Sequence, residues 1–231
     1  MTILNPEDFR NAIYFDFEGE GWSSKTKSAP KPHMVGTFRP NATGRSGQYC
    51  AHLFKESWKP VANHLGEQGE LIEFESFFQR LYNDATGTGS RLIHWSIYEQ
   101  DALKNHLTKA TFQKIEPLLY NLLPPARRYA NRRRAFGPEE TARNKTLEEF
   151  CSALLNRGPF PPLALGAAKV CRQIDKACQA HRRWKHFTEA EKTYVTTFIA
   201  YNTGDCRASW LIAKRLGNAH KNKKGLDKIE P

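Results

Sequence analysis

The chain has 231 residues, of which 39% are hydrophobic and 12% aromatic, and it carries a formal net charge of +11. That length suits one domain with a sizeable core. No stretch approaches the roughly 18 consecutive apolar residues of a membrane span, and the first ten residues hold acids and a proline where a signal peptide would be apolar. We therefore expect a cytoplasmic protein with no membrane partner.

The first half of the chain reads as strands with one helix among them. Apolar and polar residues alternate over 11–18, and two further short runs are bounded by Pro- and Gly-rich pieces. The apolar spacing of 70–84 predicts a helix, and a short apolar run follows it. The predicted strands are 11–18, 33–39, 48–54 and 91–95.

The second half reads as mostly helical. Ser96 is placed as the N-cap of a helix to about Leu107, and a Thr188–Glu191 capping box opens a long helix to about Leu216. Further helices are predicted at 111–122, 146–156 and 163–180, and a fifth strand near 127–134. This order predicts an α/β fold, with a mixed five-stranded sheet flanked by helices and helical additions in the C-terminal half. One domain should cover 1–218, followed by a basic tail at 219–231.

Two carboxylates interrupt the first predicted strand. Side chains at i and i+2 of a strand project from the same face, so Asp16 and Glu18 lie about 7 Å apart along it. Two ionised carboxylates on a buried face repel each other and lose hydration. A divalent cation that prefers oxygen ligands, Mg²⁺ or Mn²⁺, removes both penalties. The pair therefore predicts a metal site, with an exposed face of two solvated acids as the alternative.

Two later stretches carry further candidates. In YNTGD, Tyr201 and Asp205 are four residues apart in a predicted helix and share one face. In HWSIYEQDAL, Glu99 and Asp101 lie in the first turn after Ser96, roughly 200° apart around the helix axis, so only one of them can face a shared site. An acid in a first turn is also favoured by the helix dipole alone.

The three stretches together resemble the DEDD exonucleases of the ribonuclease H-like superfamily, in the subgroup with Tyr in the final motif. They are most similar to the ribonuclease H-like nuclease domains found in RecB-type and related bacterial nucleases. The resemblance rests on IYFDFEG, IHWSIYEQDAL and YNTGDCRASWLI, and its order and spacing fit across roughly residues 10–216. An aromatic residue precedes the middle acid in this family, so Tyr98 selects Glu99 over Asp101.

The resemblance implies a two-metal phosphodiesterase that uses Mg²⁺ or Mn²⁺. Asp16, Glu18 and Asp205 would hold one ion, and Tyr201 would orient the water that this ion activates. The second ion, held by Asp16 and reached by Glu99, would stabilise the leaving oxygen. By analogy with the family, the expected reaction is 3′→5′ release of nucleoside monophosphates.

The excess of basic residues predicts a nucleic-acid partner, DNA or RNA, bound through a single-stranded 3′ end. Phosphate contacts are expected from clustered Arg and Lys side chains, and base stacking from one Trp. These candidates are Trp22, Arg127, Arg128, Arg132, Arg133, Arg134, Lys169 and Arg172. Two alternatives stay open: a nucleic-acid-binding module with weak or no catalysis, and a structure-specific endonuclease on the same fold.

Overall fold

The computed structural model describes residues 5–20, 29–156, 163 and 165–226, with side chains through residue 220. Its centre is a mixed sheet of six strands in the order β4-β3-β2-β1-β5-β6. β1, β2 and β3 pair antiparallel, whereas β4 runs parallel to β3, and β5 and β6 run parallel to β1. The strands are β1 (Ile13–Glu18), β2 (Met34–Pro40), β3 (Gly47–Leu53), β4 (Gly69–Leu71), β5 (Leu92–His94) and β6 (Leu119–Asn121). The predicted α/β class with a mixed sheet is therefore confirmed.

Helices cover both faces of this sheet. They are α1 (Pro6–Arg10), α2 (Lys59–Leu65), α3 (Phe74–Thr88), α4 (Ile97–His106), α5 (Lys109–Ile115), α6 (Leu123–Arg132), α7 (Leu147–Leu155), α8 (Ala167–Ala180) and α9 (Glu189–Leu226). Within the part of the chain that the structure describes, no helix is both long enough and apolar enough to cross a membrane.

β1 is the central strand, and its alternation divides two cores. Phe15 and Phe17 are buried on one face against the aromatic side of α3, which includes Phe78. Tyr14 is buried on the opposite face, in the cluster that contains Trp210 of α9. Side chains two residues apart in a strand lie on the same face, so Asp16 and Glu18 project on the side of Tyr14, toward α9.

α9 has 38 residues and crosses β1 and β2 on the face of the sheet that carries Tyr14, Asp16 and Glu18. In its first half Phe198 is buried with Met34 and Trp58, and in its second half Trp210 is buried with Tyr14. The predicted capping box is present, because the Thr188 amide and hydroxyl both donate to Glu191 Oε2. This one helix therefore spans two cores and carries the final motif across β1.

The prediction of a fifth strand near 127–134 is wrong, because residues 127–132 lie in helix α6 and 133–134 in the turn that follows it. Ala126 and Ala130 are buried one turn apart while Arg128 and Arg132 are exposed, which is a helical and not a strand pattern. The real edge strand is β6, three residues long, and it lies inside the segment that was predicted as helix 111–122. A second short edge strand, β4, replaces the predicted start of the helix at residue 70, so the sheet has six strands and not five.

Two helix boundaries also differ from prediction. α8 begins at Ala167, after Gly166 with a φ of 72°, and not at residue 163. α9 continues past the predicted end near Leu216 to Leu226, so residues 219–226 of the predicted basic tail are helical. Gly217 does not end the helix: a Cβ there would lie 2.9 Å from the Phe9 ring, so glycine lets α1 pack against α9.

Candidate metal centre

Three acidic side chains from β1 and α9 meet on the buried face of the sheet. One carboxylate oxygen from each of Asp16, Glu18 and Asp205 lies within 4.8 Å of the other two. Glu18 and Asp205 are 4% and 7% exposed, and Asp16 is half-buried. Residues that are far apart in sequence thus form one compact group of oxygen ligands, the type that Mg²⁺ and Mn²⁺ prefer.

The electrostatics of this group favour a cation. Burial, followed by the charges of neighbouring acids, raises the pKa of Asp16 and of Glu18 well above their ordinary values. Burial and then the charge of Glu148 raise the pKa of Asp205 to about 7. Asp205 Oδ1 is buried and has no hydrogen-bond partner among the described residues. An unpartnered buried oxygen is costly, and a metal ion would satisfy it.

Asn202 holds the two strand carboxylates together. This residue is fully buried, and its amide donates to Asp16 Oδ2 at 2.8 Å and approaches Glu18 Oε1 at 3.4 Å. Its own oxygen accepts from the Tyr49 hydroxyl at 2.8 Å. The amide lowers the pKa of both carboxyls, although burial and repulsion raise them by more. Asn202 therefore offsets part of the repulsion that the acids exert on each other.

The close approach of Asn202 depends on a glycine in the neighbouring strand. Gly36 pairs with Asp16 in the antiparallel register of β1 and β2. A Cβ built on Gly36 would lie 1.7 Å from Asn202 Oδ1 and 2.7 Å from the Tyr49 ring. No side chain fits at this position while Asn202 stays in place, so Gly36 opens the space through which α9 reaches the carboxylates.

Glu99 lies next to this group but outside its tight core. Glu99 is 4% exposed, and its Oε2 accepts from the backbone amide and the hydroxyl of Ser96, forming the capping box of α4. Its charge nevertheless raises the pKa of Asp16, Glu18 and Asp205. Glu99 thus caps α4 and adds negative charge to the electrostatic environment of the three carboxylates. Asp101 lies half-buried further along α4.

Tyr201 lies between Asp205 and a carboxylate that sequence reasoning missed. The Tyr201 hydroxyl donates to Glu148 Oε1 of α7 at 3.4 Å, and burial together with the charges of Asp205 and Glu148 raises the pKa of Tyr201 well above its ordinary value. Tyr201 therefore stays a neutral phenol. Glu148 belongs to a separate helix with no motif around it, so no local pattern marks it. The sequence indicates only weakly that Asn202 lies near the site: it precedes Asp205 by three residues, and residues at this spacing share one face of a helix.

The predicted nucleic-acid contacts are placed on two helices and one turn. Arg128, Arg132, Arg133 and Arg134 are exposed on α6 and the turn that follows it. Arg127 is half-buried and donates to the Arg143 carbonyl at 2.5 Å, so it also anchors the loop before α7. Lys169 and Arg172 are exposed on α8, whose buried face packs near β1. Trp22 lies outside the described residues.

A second group of potential metal ligands, Glu20, His33 and Asp175, is already neutralised by the protein. Lys55 Nζ lies 2.6 Å from Asp175 Oδ2, and the Trp58 indole donates to Asp175 Oδ1 at 2.6 Å. Burial and then the Lys55 charge lower the pKa of His33. The Lys55 ammonium thus already contacts two of the three potential ligands, Asp175 and His33, and this group links the start of β2 to α8.

Comparison of the chain with protein-family models, with curated proteins and with solved structures gave no match. The assignment of the site therefore rests on its own residues. Three carboxylates, two of them buried and one half-buried, converge beside an unsatisfied oxygen and could hold a metal ion.

Proposed function

We propose that this chain is a metal-dependent nuclease that hydrolyses phosphodiester bonds of DNA or RNA. The observation that carries the proposal is the convergence of Asp16, Glu18 and Asp205 within 4.8 Å in a buried position. Such a group is electrostatically unfavourable by itself, because like charges share a poorly hydrated space. Bound cations would offset this repulsion, and divalent cations next to bound phosphate are suited to phosphodiester hydrolysis.

The residues divide the work of the proposed reaction. Asp16, Glu18 and Asp205 would hold the Mg²⁺ or Mn²⁺ ions. Glu99 would lie at the edge of the site of the second ion. These ions would lower the pKa of a bound water and neutralise the phosphate. Asn202 fixes the two strand carboxylates in direction. Tyr201, a neutral phenol beside Asp205, would orient the attacking water.

The rest of the proposal follows the resemblance to DEDD exonucleases. A mixed sheet covered by helices on both faces supports the ribonuclease H-like fold that the resemblance implies. Stepwise 3′→5′ release of nucleoside monophosphates follows from the same resemblance. The exposed arginines after Ala126 supply positive charge for the phosphate backbone of the substrate.

A binding module without catalysis would use the same basic surface. However, buried carboxylates weaken binding to a phosphate backbone unless cations neutralise them. The acidic group therefore favours an enzyme over a clamp. A structure-specific endonuclease would share the metal centre and differ in the products that it releases.

A digestion panel tests the proposal. The wild-type protein is incubated with 3′- and 5′-labelled single-stranded DNA and RNA in Mg²⁺, Mn²⁺ or EDTA, beside Asp205→Asn and the matched surface variant Glu56→Gln. We expect cleavage only with metal, a loss of roughly 10²–10³-fold in Asp205→Asn, and no change in Glu56→Gln, which alters an exposed acid. Equal rates in wild type and Asp205→Asn would show that the metal centre is assigned wrongly.

A further inference from the structure

Glu148 is an acid near the candidate metal centre that belongs neither to β1 nor to the sequence motifs. It lies in the first turn of α7, whose capping box is formed by Thr146 and Glu149. α7 packs along α9, and this packing brings Glu148 Oε1 to 3.4 Å from the Tyr201 hydroxyl. The helix cap does not need Glu148, because Glu149 already accepts from the Thr146 amide.

The Tyr201 hydroxyl has two carboxylates within reach but only one proton. Asp205 follows one turn later on α9, and a hydrogen bond with Tyr201 lowers the pKa of its carboxyl. Glu148 approaches from α7, with its Oε1 at 3.4 Å from the phenolic oxygen. A phenolic oxygen donates one hydrogen bond and keeps its lone pairs as acceptors. The carboxylate that accepts this hydrogen bond therefore decides the direction in which the lone pairs point.

Asp205 is the weaker candidate for that proton in the working enzyme. One of its oxygens belongs to the group of three that converge within 4.8 Å, where a cation would engage its lone pairs. Glu148 is not part of that group and stays free to accept. When the Tyr201 hydroxyl donates its hydrogen bond to Glu148, the lone pairs of the phenolic oxygen stay free to accept a hydrogen bond from a water molecule.

We propose that Glu148 is a positioning residue: its carboxylate accepts the hydrogen bond from the Tyr201 hydroxyl and so fixes the phenolic oxygen as the acceptor that orients the attacking water. The inference rests on the proposed nuclease function. Glu148 itself transfers no proton and forms no bond to substrate. Its effect passes through Tyr201, so it should change the rate of the chemical step and leave substrate binding almost unaltered.

The variants that test this role are expected to fold. Glu148 borders an open cleft of about 400 Å³, together with Phe136, Glu149, Ser152 and Ala153, so truncation leaves no closed void. Glu148→Ala should lower kcat about 10- to 100-fold at nearly constant KM, as the loss of an orienting partner does. Glu148→Gln keeps an acceptor oxygen and should recover most of that rate. Glu149→Ala, which removes the capping interaction next door, should leave kcat unchanged.

A double-mutant cycle shows whether the effect passes through the phenol. In a Tyr201→Phe background, Glu148→Ala should cause no further loss of kcat. Additive losses, or a Glu148→Ala enzyme as fast as the wild type, would overturn the proposal. So would a loss in Glu149→Ala equal to that in Glu148→Ala, because it would trace the effect to the stability of α7.

A second measurement separates this inference from the nuclease proposal. The four proteins of this cycle are the wild type, Glu148→Ala, Tyr201→Phe and the double variant. They are unfolded in urea without metal, and their equilibrium constants of unfolding are compared. If the unfolding cycle shows coupling between positions 148 and 201 but the wild type shows no metal-dependent cleavage, the contact is retained and the nuclease proposal is rejected. Cleavage by the wild type without coupling in either cycle would reject the role of Glu148 and retain the nuclease.

Discussion

Replacing Gly36 by alanine should damage the metal centre from the neighbouring strand, without changing a single ligand. A Cβ at this position would lie 1.7 Å from Asn202 Oδ1, where ordinary contacts exceed 3 Å, and 2.7 Å from Tyr49 Cε2. The Tyr49 ring is packed between core residues, so Asn202 must give way. Its amide then loses the 2.8 Å hydrogen bond to Asp16 Oδ2.

The expected cost follows from three terms. Adding a methyl group to a filled core costs about 1–3 kcal/mol. Losing a buried hydrogen bond to a charged group costs about 1.5–3 kcal/mol. Alanine regains about 0.5–1 kcal/mol because it loses less backbone entropy on folding than glycine. Gly36→Ala should therefore lower the free energy of unfolding by about 1.5–5.5 kcal/mol, and it should also weaken metal binding.

Urea unfolding of the metal-free protein measures this cost as a shift of midpoint at constant slope. The matched control is Gly87→Ala, since Gly87 lies in α3 with open space around its Cβ position. That variant should be stabilised by up to about 1 kcal/mol. In an Asn202→Ala background, Gly36→Ala should cost less than it does alone. A Gly36→Ala protein as stable as the wild type would refute the reasoning.

Two further predictions concern the acids themselves. Glu99→Gln should slow metal-dependent cleavage, because its charge acts on all three ligands, while Asp101→Asn should not; the reverse ranking in the digestion panel would transfer the second-motif role to Asp101. The raised pKa of Asp205, about 7, means that the folded state keeps a proton that the unfolded state releases near pH 4. Metal-free wild type should therefore lose stability relative to Asp205→Asn as pH rises from 5 to 7.5, by at most about 1.4 kcal/mol per pH unit. Mg²⁺ should remove that loss, because it binds the deprotonated ligands; a difference between the two proteins that does not change with pH in EDTA would contradict the assignment.

The sequence predicted those parts of the fold whose cause is local. The alternation in β1 and the side chains that cap α4 and α9 depend on residues within one turn or one strand, and all three appear in the structure. β4 and β6 could not be predicted in the same way. Each has three residues and becomes a strand only because a neighbouring strand, β3 for β4 and β5 for β6, offers it a parallel partner.

The candidate site shows the same division. Asp16 and Glu18 could be paired from strand geometry, and Tyr201 and Asp205 from helix geometry. Asn202 and Glu148 take their roles from contacts between elements: Asn202 through a gap left by Gly36, Glu148 through the packing of α7 on α9. No periodicity within one segment contains that information.

The passage of α9 across β1 has a consequence for how the protein is made. Asn202 and Asp16, which touch in the folded chain, are 186 residues apart in sequence. During synthesis on the ribosome, β1 emerges with its two acids long before the helix that complements them. In the nascent chain, Asp16 and Glu18 therefore cannot meet Asp205, and the candidate metal site cannot form, until α9 has docked on β1.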